Sequence, residues 1–120
     1  MQTDILVIDD NISHLETVTE YFTQNGYQTA TLSDPREALD FIVENKPKII
    51  LLDIMMPFMD GLTLLKKIKE TDIIKSIPVI ILSGKIFPPE MKKAIALGAE
   101  KYLTKPVKSS ELLSIVRQYL

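Results

Sequence analysis

The sequence predicts an α/β fold: a doubly wound (βα)5 arrangement around a parallel five-stranded sheet. Two observations carry this expectation. Five short apolar runs recur along the 120 residues, and a helical pattern follows each of them. Three of the runs, DILVI (4–8), KIILL (48–52) and PVIIL (78–82), are continuous rather than alternating, as strands covered on both faces should be. Alternating strand and helix implies helices on both faces of the sheet and right-handed crossovers.

Taken in order, the first strand (4–8) leads to a helix over 12–24 with Leu15, Val18 and Phe22 on one face. Ser13 and Glu16 have capping-box spacing there, and Gly26 is a stop. The run YQTATL (27–32) precedes a helix over 34–44, where Asp34 caps, Pro35 takes the first helical position, and Ala38, Leu39 and Ile42 turn inward. The run 48–52 leads to a helix over 61–69 that buries Leu64, Leu65 and Ile68, with Asp60 as its cap. The run 78–82 leads to a helix over 88–97, opened by Pro88-Pro89 and stopped by Gly98. The run KYLT (101–104) leads to a helix over 109–120 with Leu112, Leu113, Val116 and Leu120 on one stripe. Residues 1–120 are expected to form one domain, with no second domain, repeat or linker.

Composition narrows the function classes. The chain has no cysteine, which removes disulfides and thiolate metal sites. A net charge of −2 gives no electrostatic case for direct nucleic-acid binding or for an anionic membrane surface. No apolar run approaches the ~20 residues of a membrane span. A cytosolic location is the expectation.

The chemistry-bearing residues gather at one place in this topology. Asp9 and Asp10 follow the first strand, Asp53 ends the third, Ser83 ends the fourth, and Lys105 follows the fifth within two residues. In an open parallel sheet, ligands bind outside the carboxyl ends of the strands. Taken singly, each has a plainer reading: a cap or turn residue for an acid, a turn residue for Ser83 and a solvated cation for Lys105. Only the set favours function. Three clustered carboxylates call for a cation, because two unit charges ~4 Å apart repel by about 4 kcal/mol at an effective dielectric near 20. An all-oxygen donor set favours Mg2+ over zinc.

The segments VIDD (7–10), LLDIMMPFMDG (51–61), VIILSG (79–84) and GAEKYLTKP (98–106) resemble the receiver domains of bacterial two-component response regulators. The resemblance covers nearly the whole chain, with 43 residues from Asp10 to Asp53, 30 on to Ser83 and 22 on to Lys105. It implies the flavodoxin-like strand order 2-1-3-4-5. It also implies that Asp53 is the phosphorylation site, taking a phosphoryl group from a sensor histidine kinase or a histidine phosphotransfer domain. Asp10, Asp53 and the Met55 backbone carbonyl would ligate Mg2+, with Asp9 acting through water. Ser83 and Lys105 would meet the phosphoryl oxygens, Tyr102 would report the switch, and the Lys105-Pro106 bond would be cis. The output face would lie on 88–120, toward an unspecified downstream partner or domain. DNA-binding members of the family carry an acidic pair where this chain has Glu100-Lys101, which leaves a monomer and a phosphorylation-dependent dimer both open.

Rival readings are weaker. A phosphatase of the haloacid-dehalogenase type would need an acid two residues after Asp53, where Met55 stands, and no phosphate-binding glycine motif occurs. A phosphorylation-independent module would not need all five chemical positions filled. His14 is expected as an exposed polar residue, with a kinase contact as the alternative. Met55 and Met56 are expected as loop and packing residues, and Pro57 and Gly61 as turn formers. Ile86 and Phe87 are expected under the loop after Ser83, with partner contact second. Met55 and Lys85, two residues beyond Asp53 and Ser83, offer poor water positioning, which implies a long-lived phosphate.

Overall fold

The computed structural model describes residues 3–56, 59–84 and 88–120. Five parallel strands form one sheet in the order β2-β1-β3-β4-β5: β1 (Ile5–Ile8), β2 (Thr29–Leu32), β3 (Ile49–Asp53), β4 (Val79–Ser83) and β5 (Lys101–Thr104). The helices are α1 (Ile12–Gln24), α2 (Ala38–Asn45), α3 (Gly61–Glu70), α4 (Pro88–Leu97) and α5 (Ser109–Val116). Pro57, Lys85, Ile86 and Phe87 lie outside the described residues.

The continuous apolar runs become the central strands, and every residue of β1, β3 and β4 is buried. Strand side chains alternate between faces, which divides the core into two layers. Leu6, Ile8, Ile50, Leu52, Val79 and Ile81 pack with α2, α3 and Ala94 of α4. Ile5, Val7, Ile49, Leu51, Ile80 and Leu82 pack with Leu15, Val18 and Phe22 of α1 and with Leu112, Leu113 and Val116 of α5. Edge strands β2 and β5 are covered on fewer sides and contain no fully buried residue.

Several element ends differ from the sequence reading. Asn11, not the Ser13–Glu16 box, caps α1: its side-chain oxygen accepts from the His14 backbone N–H at 3.1 Å. Asp34 and Pro35 do open a helical segment, but its first turn is 3-10 (Pro35–Glu37) before α2 begins. Lys46 ends α2 with φ 43°, a left-handed cap that glycine or asparagine fills more often. The helix α5 tightens into a 3-10 turn at Arg117–Tyr119. Three residues per turn instead of 3.6 carry Leu120 off the apolar stripe, leaving it 38% exposed. Arg117 Nε there donates to the Tyr27 hydroxyl at 3.2 Å, tying the chain's end to the α1–β2 connection.

Candidate functional site

The register of the sheet assembles the site. Ile8 pairs with Leu52, so the next residue on each strand sets Asp9 beside Asp53. Both continue the parity of the residues that face α1 and α5. Ser83 closes β4 next to Thr104 of β5. Asp9, Asp53 and Ser83 are the buried polar residues among those described, while Asp10 is exposed. One carboxylate oxygen from each of Asp9, Asp10 and Asp53 lies within 4.8 Å of the others.

Lys105 brings a positive charge to the two buried acids. It arrives from beyond β5, 52 positions after Asp53, held by its backbone N–H donating to the Ser83 carbonyl at 2.6 Å. Its Nζ donates to Asp9 Oδ2 at 2.8 Å and lies 3.4 Å from Asp53 Oδ2. The Lys105-Pro106 peptide is cis. Asp9 has two further donors: the Asn11 backbone N–H on Oδ1 at 3.0 Å and His14 Nδ1 on Oδ2 at 2.6 Å. Asp53 Oδ1 accepts from the Met55 backbone N–H at 3.2 Å.

These partners split the two buried acids. Burial alone would raise the Asp9 carboxyl, but hydrogen bonds from His14, Lys105 and Asn11 outweigh it and hold Asp9 well below the usual carboxylate range. Burial raises Asp53, and the Asp9 charge adds to it. The Lys105 charge opposes both without overcoming them. Lys105 itself is pushed down by burial, yet the two carboxylates leave it above its ordinary value. Asp53 is therefore the acid that is costly to hold ionised, and the one with most to gain from an added cation.

The turn after β3 leaves little clearance. A Cβ on Gly61 would stand 2.6 Å from the Asp53 carbonyl oxygen and 2.6 Å from Ile54 Cα, closer than side-chain carbons come to such atoms. Glycine there lets α3 start directly against the strand end, with Asp60 accepting from the Leu62 backbone N–H at 3.0 Å as its cap. Beside this turn a groove of about 550 Å3 runs past Asp10, Met55, Met59, Asp60 and Glu90. A second groove, about 610 Å3, lies between α1 and the edge of β2, away from the acids.

The sequence-predicted residues fall as follows. Asp9, Asp10, Asp53, Ser83 and Lys105 share one rim. Tyr102 stands on β5, separated by β4 from the strand that ends in Asp53, and packs partly buried against the layer formed with α2, α3 and α4. Met56 packs against the same layer, whereas Met55 is 58% exposed and fills no gap. The correction that matters is His14, which is only partly exposed and binds Asp9. Helical Cα–Cβ bonds tilt toward the helix N-terminus, so a residue in the first turn of α1 leans back over the loop that carries Asp9. That is the signal that would have found it. An all-oxygen set with hard donors suits a divalent cation of the Mg2+ class.

Comparison with known proteins identifies the family and the fold. The sequence matches the response regulator receiver domain family over residues 5–117. The response regulator MprA of Mycolicibacterium vanbaalenii is 34% identical across 120 residues, all of this chain and 51% of that protein. MprA of Mycobacterium tuberculosis is 33% identical over the same span. The chain thus spans about half the length of the curated relatives it matches. Among solved structures, the Vibrio cholerae chemotaxis protein CheY4 superposes with TM-score 0.91 at 28% identity, covering 100% of both chains. The receiver domain of Francisella response regulator 1452 gives TM-score 0.89 at 33% identity, covering 98% of this chain and 96% of the other. The chain belongs to the response regulator receiver domain family, the phosphoacceptor components of two-component signalling.

Proposed function

We propose that Asp53 is the phosphoacceptor and that residues 1–120 act as one receiver domain in the cytoplasm. An Asp53 carboxylate oxygen forms a bond to phosphorus as the phosphorus–nitrogen bond of a partner's phosphohistidine breaks. The imidazole leaves and the product is an aspartyl phosphate. The partner is a sensor histidine kinase or a histidine phosphotransfer domain. A Mg2+ ion would be held by Asp10, Asp53 and the Met55 carbonyl, with Asp9 reaching it through water, and would supply charge neutralisation for the incoming phosphoryl. Ser83 and Lys105 bind the phosphoryl oxygens, and Tyr102 and residues 88–120 carry the change to a downstream partner. The domain's catalysis is limited to its own phosphorylation and dephosphorylation.

One observation carries this reading: Asp53 is a buried carboxylate whose ionised form is disfavoured, set between a lysine and two other acids, one of which, Asp10, lines a groove. A nucleophile in that position gains most from a cation and from a phosphoryl that exchanges its charge for three accessible oxygens. The test is incubation with acetyl phosphate and Mg2+, followed by intact mass. The expected result is a gain of one phosphoryl, lost in Asp53→Asn. Turnover without a lasting gain would instead identify a phosphatase, and no change a phosphorylation-independent module.

A further inference from the structure

A carboxylate offers about four lone-pair sites, and protein donors already fill three on Asp9. The Asn11 backbone N–H takes one on Oδ1, and His14 Nδ1 and Lys105 Nζ share Oδ2 at 2.6 and 2.8 Å. The Asn11 donor is main chain, and Lys105 also faces Asp53. His14 is different in kind. Among the described residues its side chain makes no other hydrogen bond, and it reaches Asp9 from the first turn of α1 with 25% of its surface still exposed. Among the described residues, the acid group that closes on one point is Asp9, Asp10 and Asp53, without His14. The imidazole touches the site without belonging to the ligand set.

We propose that His14 is a positioning residue that ties up Asp9 Oδ2 and so keeps divalent-cation affinity below what the three acids would otherwise give. The inference rests on the reading of the acid rim as a cation site. A cation, or a water in its shell, needs an open lone pair on Asp9. With His14 in place only one is left, and Oδ2 is closed by two donors on the same atom. Removing the imidazole opens Oδ2 and leaves more of the Asp9 charge uncompensated, so the cation binds more tightly. Orientation of Asp9 survives the loss, because Asn11 and Lys105 still hold the two oxygens.

The test is a Mg2+ titration of the unphosphorylated protein at one fixed pH, read from the amide NMR shifts of Asp10, Asn11 and Met55. Wild type is compared with His14→Leu, which keeps apolar bulk without a donor, and His14→Asn, whose amide nitrogen can stand where Nδ1 does. The Leu variant should bind Mg2+ about tenfold more tightly, equivalent to about 1.4 kcal/mol. The Asn variant should stay within about twofold of wild type. Equal or weaker binding by the Leu variant overturns the proposal, and so does an Asn variant that tightens as much as Leu. A wild type with no saturable response overturns it together with the cation-site reading. Phosphoryl uptake is not part of this readout, so failure of Asp53 as the acceptor would appear only in the mass experiment.

Discussion

Replacing Asp53 with Asn should stabilise the metal-free protein and destabilise it relative to wild type once Mg2+ is added. Asp9 repels the Asp53 charge from within 4.8 Å, which is at least about 3.5 kcal/mol at an effective dielectric near 20. Asp10 is exposed, so its repulsion at a similar distance is nearer about 1 kcal/mol, the value for water. Lys105 at 3.4 Å attracts by about 5 kcal/mol on the same scale as Asp9. The charge terms nearly cancel. Desolvation then decides, and a carboxylate left 6% exposed loses part of the several kcal/mol that an ion gains from water. Asn has the same shape and can still accept from the Met55 N–H, so the expected net gain is about 1–2 kcal/mol in EDTA at neutral pH.

The pH dependence follows from the sign of the shift. Asp53 has a folded value above its ordinary 3.8, so its favourable contribution is present below that value and is lost as pH rises through the folded value. The Asn variant has no such loss, and its advantage should emerge with rising pH and be absent in acid. Adding Mg2+ reverses the order. At 100 times its dissociation constant a ligand stabilises by about 2.7 kcal/mol, and the variant lacks one of the three carboxylates. Urea unfolding followed by far-ultraviolet circular dichroism, with EDTA and with saturating Mg2+, measures both limbs. An Asn variant less stable than wild type in EDTA would refute the reasoning, as would equal stabilisation of both proteins by Mg2+.

Two further substitutions test the neighbourhood. Gly61→Ala should cost about 1–3 kcal/mol and slow phosphoryl uptake, because the added carbon must displace the backbone of Asp53 and Ile54; urea midpoints and timed intact mass would measure this, and a neutral result would mean that α3 can back away freely. Met55→Asn should shorten the lifetime of the phosphorylated form several-fold or more, because it puts a hydrogen-bonding group where an exposed thioether stands and positioning a reactant changes rates strongly. Decay in acid-quenched samples measures the effect, and unchanged or slower loss would exclude that role.

The parts of the fold that the sequence made legible are those where a single physical cause dominates. The runs that became β3 and β4 are continuous and apolar, as strands buried on both faces should be, and the topology then fixed which rim would collect Asp9, Asp10, Asp53, Ser83 and Lys105. Where two causes compete, the residues alone do not decide. Asn11 and Ser13 could each have capped α1. Asn11 wins because the chain leaving β1 turns there and its side chain reaches the His14 N–H. The shift from α to 3-10 at Arg117 coincides with a contact with Tyr27, 90 residues away in sequence. The His14–Asp9 contact was hidden for a related reason, since it needs the start of α1 to fold back over the loop before it. Lys105 was legible as a rim residue, but the fact that it touches both buried acids was not.

That double contact limits what phosphorylation can do alone. Two charged hydrogen bonds to a phosphoryl, from Ser83 and Lys105, would be worth roughly 3–6 kcal/mol together. A shift from 1:99 to 99:1 takes about 5.5 kcal/mol. Lys105, however, begins with a hydrogen bond to Asp9 at 2.8 Å, so turning to a phosphoryl exchanges one charge-assisted bond for another. Most of its share then cancels, and at most about 1.5–3 kcal/mol from Ser83 remains, which moves 1:99 no further than the region of 1:1. On the phosphoacceptor reading, the rest of the shift must come from whatever binds the changed face. Coupling between two sites is reciprocal, so a partner that selects the shifted form must also raise the stability of the phosphorylated, cation-bound site. On the same reading, the resting grip of Lys105 on Asp9 would make the output partner part of the switch, because Asp53 chemistry by itself would supply at most about half of the free energy the transition requires.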